Sequence, residues 1–356
     1  MRGEVFFVVK KLGGDGWGGA HKVLSILANY LAGKEYRVSI IVWSDSEIYY
    51  HVDERIKIKK LHCNAERITG IALALFKTRR ILSKHRPSYL YAFMAQMAIY
   101  SLICSVGLGI NVIAAERTDP RSEPRKRLAR CLRNIAFCFM YKNVFQTADA
   151  MSYFPTMAQR KSYIIPNPIG RSLPNPYIGL REKEFVAFCR IDRQKNLPMM
   201  IDAFCLVHDK YPEYVLKIYG KGLIEEEIKE YIFKKEAERF IELKGFEKEI
   251  HLKIINASGF LSSSDYEGIS NSMLEAMAIG LPCICTDCPA GGARTYIRDS
   301  INGVLVPVGN CKAMCNAIIR IIEEPQFAEK IGRNASYIRK ELDSEKICSK
   351  WEQLMD

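Results

Sequence analysis

Ser262-Ser263-Ser264-Asp265-Tyr266-Glu267-Gly268-Ile269-Ser270-Asn271-Ser272-Met273-Leu274-Glu275-Ala276-Met277-Ala278-Ile279-Gly280-Leu281-Pro282 reads as the end of a strand, a loop, a short helix and the start of the next strand. Short apolar runs of strand length alternate with helical patterns on both sides of it, as expected of parallel sheets flanked by helices. Strands fit residues 282–286 and 303–306 downstream, and 259–262, 240–244, 214–219 and 185–189 upstream. Residues 197–208 fit a helix that Asn196 is placed to cap. Ahead of them, 171–184 is rich in Gly, Pro, Ser and Asn without periodicity and reads as a linker.

The first 170 residues repeat the alternation, with strands at 4–10, 37–43, 56–61, 89–93, 112–115 and 143–146 and a short one at 164–165 cut off by Pro166. The expected fold class is therefore α/β, with two doubly wound Rossmann-like domains, 1–170 and 185–340, facing a central cleft. A last amphipathic helix in 341–356 is expected to pack back toward the first domain. In such folds the working site lies at the carboxyl ends of the strands.

Composition agrees with a globular chain: 356 residues, 48% apolar and 26% charged, which excludes a small module, a disordered chain and a polytopic membrane protein. The net charge of +12 is lopsided. Residues 1–180 hold 27 Lys and Arg against 12 Asp and Glu, and the remainder holds 25 against 28. Nucleic acid, an anionic membrane and a solvated basic face each suit that asymmetry. Residues 88–115 carry no charge and are long enough to span a bilayer, but Gln96, Ser101, Ser105, Gly107, Gly109 and Asn111 divide them into strand, helix and strand. The twelve cysteines are scattered through apolar runs and read as small hydrophobes in a reducing compartment. Cys283, Cys285 and Cys288 lack a nearby fourth ligand for zinc. The apolar stretch 5–9 is too short for a signal peptide, so a cytoplasmic location is expected.

Three further segments place chemistry at strand ends. Lys11-Leu12-Gly13-Gly14-Asp15-Gly16-Trp17-Gly18-Gly19-Ala20 is a glycine-rich turn from strand to helix, where backbone amides favour an anion; a plain crossover loop accounts for it nearly as well. Arg190-Ile191-Asp192-Arg193-Gln194-Lys195 sets cations at a strand end suited to a diphosphate, or to a solvated turn. Glu275 has a structural reading as the partner of Ser272 in a capping box. Glu267, in a Gly-bearing loop, meets only ligand or solvent.

In these residues the chain resembles the family-four retaining glycosyltransferases of the GT-B fold. The resemblance covers nearly the whole chain and rests on Glu267-x7-Glu275, Arg190 with Lys195, Tyr219-Gly220-Lys221-Gly222, Cys288-Pro289-Ala290-Gly291-Gly292-Ala293-Arg294 and Gly18-Gly19-Ala20. Glu116-Arg117-Thr118-Asp119-Pro120 and Pro166-Asn167-Pro168 resemble the branch that builds bacterial surface polysaccharides and lipid-linked oligosaccharides.

The resemblance implies that Arg190 and Lys195 stabilise the donor diphosphate as it leaves and that Glu267 binds hydroxyls of the donor sugar. Gly268, Ile269, Ser270 and Asn271 would meet sugar and phosphate with their amides, and Glu275 would hold the ribose. Gly18, Gly19 and Gly220 would line the donor, and Glu116 and Arg117 are acceptor-side candidates. It implies a UDP-sugar donor, a polyprenyl-diphosphate-linked glycan or polysaccharide acceptor, and a seat on the inner face of the plasma membrane through the basic first domain. No metal, no cofactor and no nucleic acid is expected. The chain departs from the pattern at His21 and Thr295, where relatives carry Glu, and at Phe93-Met94-Ala95-Gln96, where some place a His. A nucleotide-sugar epimerase on the same fold and a basic nucleic-acid-binding protein using residues 121–133 are the alternatives.

Overall fold

The computed structural model describes residues 2–13, 19–170 and 172–356. It divides into two units: Met1–Pro168 with Ser344–Asp356, and Ile169–Asp343.

The first unit is built on strands β1 (Arg2–Val9), β2 (Tyr36–Val42), β3 (Lys57–Lys60), β4 (Tyr89–Phe93), β5 (Asn111–Ala115), β6 (Lys142–Phe145) and β7 (Ser162–Ile164). They lie in the order β3-β2-β1-β4-β5-β6-β7, every pair parallel. Central β1 is buried on both faces, so Val5, Phe6, Phe7, Val8 and Val9 form an unbroken apolar run.

The long helices are α1 (Gly19–Gly33), α2 (Ile68–His85), α3 (Ala95–Ser105) and α4 (Arg127–Phe139). The chain leaves β1 toward β2 but runs the other way from β3 to β6, so right-handed crossovers put α1 on one face of the sheet and α2, α3 and α4 on the other. α3 accordingly lies against both α2 and α4, while α1 meets the closing helix Ser344–Glu352. The uncharged segment 88–115 is β4, α3 and β5, and no helix among the described residues is long and apolar enough to cross a membrane.

The closing helix is tied in by Trp351, which is fully buried. Its ring stacks on Phe93 at 5.6 Å between centroids, and Tyr91 Oη donates to its carbonyl at 3.0 Å. Arg133, at the end of the basic stretch 121–133 that a nucleic-acid-binding reading would use, is instead wholly buried. It lies on the inward side of α4, where Nη1 donates to the carbonyls of Pro120 (2.9 Å) and Glu123 (2.6 Å) and the guanidinium covers the Phe154 ring at 4.6 Å. Arg121 is likewise committed, to Asp149 at 2.8 Å.

The second unit carries β8 (Glu182–Phe188), β9 (Val215–Tyr219), β10 (Ile241–Gly245), β11 (Ala257–Ser262), β12 (Cys283–Thr286) and β13 (Val304–Val306). The sheet runs β10-β9-β8-β11-β12-β13, again entirely parallel. β8 opens at Glu182, inside the stretch read as linker, because Glu182 N donates to Asn256 O at 2.8 Å and brings it into register beside β11. Cys283 and Cys285 are buried in β12 as free thiols, and burial pushes both well up, which fits their reading as small hydrophobes.

Replacing Trp351 by Ala removes the largest apolar group of the closing helix from a buried site. Denaturant unfolding is expected to show a loss of about 3–5 kcal/mol in the first unit; a loss below about 1 kcal/mol would show that the helix is not anchored by this ring.

Candidate functional site

In the second unit, four loops leave the carboxyl ends of β8, β9, β11 and β12 along one edge of the sheet, and three contacts bind them together. Gly220, at φ +139°, lets the loop after β9 lie on the loop after β8; a Cβ there would fall 1.8 Å from Cys189 O. At Gly292 a Cβ would fall 1.7 Å from Gly268 O, so only glycine lets the loop after β12 touch the loop after β11. The third contact joins the loops after β8 and β11: Asp265 N donates to Gln194 O (2.9 Å), Gln194 Nε2 to Tyr266 O (2.7 Å) and Ser263 Oγ to Lys195 O (2.7 Å). Asn196 caps the helix Leu197–His208 by accepting from Met199 N at 3.3 Å, and its amide also donates to Asp265 Oδ1 at 2.7 Å.

This framework brings Lys195 and Glu267 together. Lys195 Nζ donates to Glu267 Oε2 in an ion pair whose side chains are only 13% and 19% exposed. Ser264 Oγ approaches the same oxygen at 3.5 Å, and Ala290 N donates to Glu267 O at 2.8 Å. Burial lowers the Lys195 ammonium pKa, and the adjoining Glu267 carboxylate more than reverses this, leaving it raised. Removing one member of so buried a pair costs about 3–5 kcal/mol by stranding the other, and the arrangement holds a fixed cation beside a fixed carboxylate at the sheet edge.

Arg190 is not drawn into that pair. Its Nε bonds Asp192 Oδ2 and its Nη2 donates to Gln194 Oε1 at 3.3 Å, leaving the side chain 41% exposed. Cys189 and Cys288 adjoin the pair, but burial pushes their thiols up to about 11 and about 12, so both stay protonated at neutral pH and neither offers a thiolate.

The helix Asn271–Ala278 points its N-terminus to the same edge, with Gly268, Ile269 and Ser270 buried ahead of it. Its cap is Ser270, whose Oγ accepts from Met273 N at 3.3 Å, and not Ser272, whose hydroxyl bonds the Ser270 hydroxyl at 2.9 Å. The capping-box reading of Glu275 is thereby overturned. Helix phase turns its carboxylate inward instead, within hydrogen-bond distance of His251 Nε2 at 2.7 Å. His251 lies in the short helix Ile250–Ile254, with Phe188 edge-on to its ring at 5.9 Å. Sequence reading missed this residue, and the local pattern around it gives no signal: its partner lies 24 residues ahead in another helix. Thr295 spends its hydroxyl on Gly291 O at 2.8 Å within its own helix.

In the first unit Gly19 opens α1, and Gly18 lies outside the described residues. His21 Nδ1 is buried without a partner among the described residues, and burial lowers the pKa of the ring. Glu116 and Arg117 follow β5, both buried. Glu116 Oε1 accepts from Arg117 N (2.9 Å), Thr118 N (3.2 Å) and Thr118 Oγ1 (2.9 Å), while Oε2 has no partner among the described residues and burial raises the carboxyl pKa. Arg117 Nη1 donates to Ile165 O and Asn167 Oδ1, each at 3.2 Å, and the guanidinium lies 4.9 Å from the Trp351 ring centre. Its Nε and Nη2 are buried and unpartnered among the described residues. Among the described residues, no group of three or more His, Cys, Asp or Glu could hold a metal ion.

Residues 177–337, all within the second unit, match the family described as Glycosyl transferases group 1. Over its whole length the chain is similar to an uncharacterized glycosyltransferase of Haemophilus influenzae, 23% identical across 99% of each chain. It is also 23% identical, across 99% of itself and 98% of the relative, to a Campylobacter jejuni alpha-1,4-N-acetyl-D-galactosaminyltransferase named for an undecaprenol-diphosphate-linked acceptor. Among solved structures it superposes on Anabaena HepE in complex with UDP and glucose with a TM-score of 0.85, at 17% identity over 99% of both chains. The chain is thus a glycosyltransferase of the GT-B fold whose second unit carries the match to Glycosyl transferases group 1.

Proposed function

We propose that the chain transfers a hexose or N-acetylhexosamine from a UDP-sugar, with retention and without a metal, to a polyprenyl-diphosphate-linked glycan or a polysaccharide of the bacterial surface. The observation that carries this reading is the mostly buried Lys195–Glu267 pair at a strand edge beside a helix N-terminus. A uridine diphosphate leaving group needs cations and oriented amides where its charge develops. Lys195 and the exposed Arg190 supply the cations, and residues 268–271 supply the amides. Glu267, pinned by Lys195, is left an edge to accept hydroxyls of the sugar. Glu275 receives the ribose, with His251 orienting its carboxylate.

In the reaction the acceptor oxygen forms its bond to the anomeric carbon on the face from which the phosphate departs. The bond to phosphate breaks, and the acceptor proton passes to the departing phosphate oxygen. The acceptor side falls to the first unit, where Arg117 keeps two buried nitrogens, Nε and Nη2, and Glu116 one carboxylate oxygen without protein partners among the described residues. The solved complex of HepE with UDP and glucose and the lipid-linked acceptor in the name of the Campylobacter relative support donor and acceptor class. On this reading the protein works in the cytoplasm, peripheral to the inner face of the plasma membrane.

Transfer from a UDP-sugar is expected to survive EDTA, and Lys195→Ala or Glu267→Gln is expected to slow turnover about 100-fold or more with the fold intact by circular dichroism. Full activity in both variants, or a new UDP-sugar formed without acceptor, would overturn the assignment. His251→Ala is expected to raise KM for the donor several-fold with kcat nearly unchanged; an equal fall in kcat and kcat/KM would place His251 in transition-state contact instead. Because the Lys195 pKa is raised, its ammonium and the stability it brings are fully present below the unfolded lysine value of about 10.4 and are lost only as pH rises through the higher folded value. The rate profile is therefore expected to show no limb from Lys195 between pH 6 and 9, and lysine-dependent loss in that window would contradict the ion pair. In a thermal-shift screen the cognate donor at 100 times its Kd stabilises by about 2.7 kcal/mol and so names itself.

A further inference from the structure

Glu116-Arg117-Thr118-Asp119-Pro120 follows β5, and several hydrogen bonds hold this loop in place. Asp119 Oδ1 accepts from Arg121 N at 3.2 Å and its Oδ2 from Ser122 Oγ at 2.6 Å, while the buried Arg133 binds the carbonyls of Pro120 and Glu123 from the inner side. Met94 N donates to Ala115 O at 2.8 Å, so the end of β4 borders the same loop. Met94 is 39% exposed and holds φ +75° and ψ 145°, a backbone conformation that side chains resist. Strain of that kind gathers at functional sites.

Within this frame Arg117, only 7% exposed, is satisfied on one edge. The partners of Nη1, Ile165 O and Asn167 Oδ1, are both uncharged, and Asn167 Oδ1 also accepts from Gln146 Nε2 at 2.7 Å. Nε and Nη2 lie along the other edge of the guanidinium. Their N–H bonds run parallel there, the fork that matches two oxygens of a carboxylate or phosphate. Neither nitrogen has a partner among the described residues. Glu116 does not fill the edge, since Oε1 is taken by residues 117 and 118 and Oε2 has no partner among the described residues. Aromatic rings cover the group: its Cζ lies 5.5 Å from the ring centre of Phe93 and 4.9 Å from that of Trp351, whose Nε1 is a third buried nitrogen without a partner among the described residues. Burial brings the Arg117 pKa down to about 9, although the Glu116 carboxylate opposes the fall. A buried cation hydrogen-bonded only to neutral groups is destabilising until an anion joins it.

We infer that Arg117, through Nε and Nη2, takes two oxygens of an oxyanion carried by the acceptor, a sugar carboxylate or a phosphate. The inference rests on the reading of the first unit as the acceptor side and narrows that reading to an acidic acceptor recognised at this loop. Two parallel N–H bonds meet a pair of oxygens at once, whereas a single hydroxyl or a trapped water fills one nitrogen and leaves the other unpaired. With water excluded by the rings, the charge-assisted pair is strengthened.

Trp351 is one of three tryptophans, so its indole Nε1–H resonance, identified by its loss in Trp351→Phe, is a local reporter of this edge. The full chain is titrated with inorganic phosphate, with glucuronate and with neutral glucose, each without UDP and again with UDP saturating the donor-side cations. A saturable shift of that resonance is expected with phosphate or glucuronate and not with glucose. The ion that binds about tenfold or more tightly names the source, and equal binding assigns a general oxyanion fork. Arg117→Lys keeps the charge and loses the fork, and Asn167→Asp sets a carboxylate on Nη1 that neutralises the guanidinium; each is expected to weaken binding about tenfold or more with circular dichroism unchanged. If Arg117→Lys does not fold, Asn167→Asp decides alone. A resonance that neither ion moves, that glucose moves equally, or that responds undiminished in the folded variants overturns the inference. UDP binding in that case preserves the donor reading, whereas an Arg117-dependent shift in a chain that binds no UDP sinks the transfer reaction and leaves the fork standing.

Discussion

Every strand in both sheets runs parallel to its neighbours, and the placement of the chemistry follows from that one constraint. A parallel pair cannot be closed by a tight turn, so each strand is followed by a crossover that returns over a face of the sheet. All carboxyl ends then lie on one edge, and loops far apart in sequence become neighbours there. Lys195 and Glu267 are 72 residues apart and meet because β8 and β11 are adjacent. The glycines at 220 and 292 serve the same constraint, since loops crowded onto one edge approach backbone to backbone.

That crowding fixes the electrostatics of the site. A lysine beside a carboxylate in water would be a weak and mobile pair. Here both are largely withdrawn from solvent and held by loops that are themselves hydrogen-bonded, so the two charges keep fixed positions. The exposed Arg190, held only by its own turn, has the freedom that Lys195 lacks. In the first unit the same strand edge produces buried polar groups without protein partners among the described residues at Glu116 and Arg117, an uncommon situation that a folded chain tolerates where a ligand or water completes them.

Much of this was legible in the residues. The alternation of strand and helix patterns gives the α/β class and the strand positions, because sheets buried on both faces require continuous apolar runs. The uncharged segment 88–115 divides at its polar and glycine residues as the structure does. Asn196 is read correctly as a cap because capping is a local interaction across three residues. Ser272 was misread for a related reason: Ser270 and Ser272 both sit near the helix start, and only the actual phase of the helix decides which hydroxyl meets a free amide. Arg133 is indistinguishable in sequence from its cationic neighbours until the helix is set on its sheet.

By itself, then, the sequence determined whatever depends on local periodicity and on residue type at a strand end: the fold class, the glycine-rich turns, and the presence of a lysine and a glutamate at strand ends. Tertiary structure alone decided the pairings across distant segments: Lys195 with Glu267, His251 with Glu275, Trp351 over Phe93, and which side of α4 faces water. The physical reason is that hydrogen bonds, ion pairs and burial act over a few ångströms of space and not along the chain. A residue's partner is set by the order of the strands, which no single segment encodes.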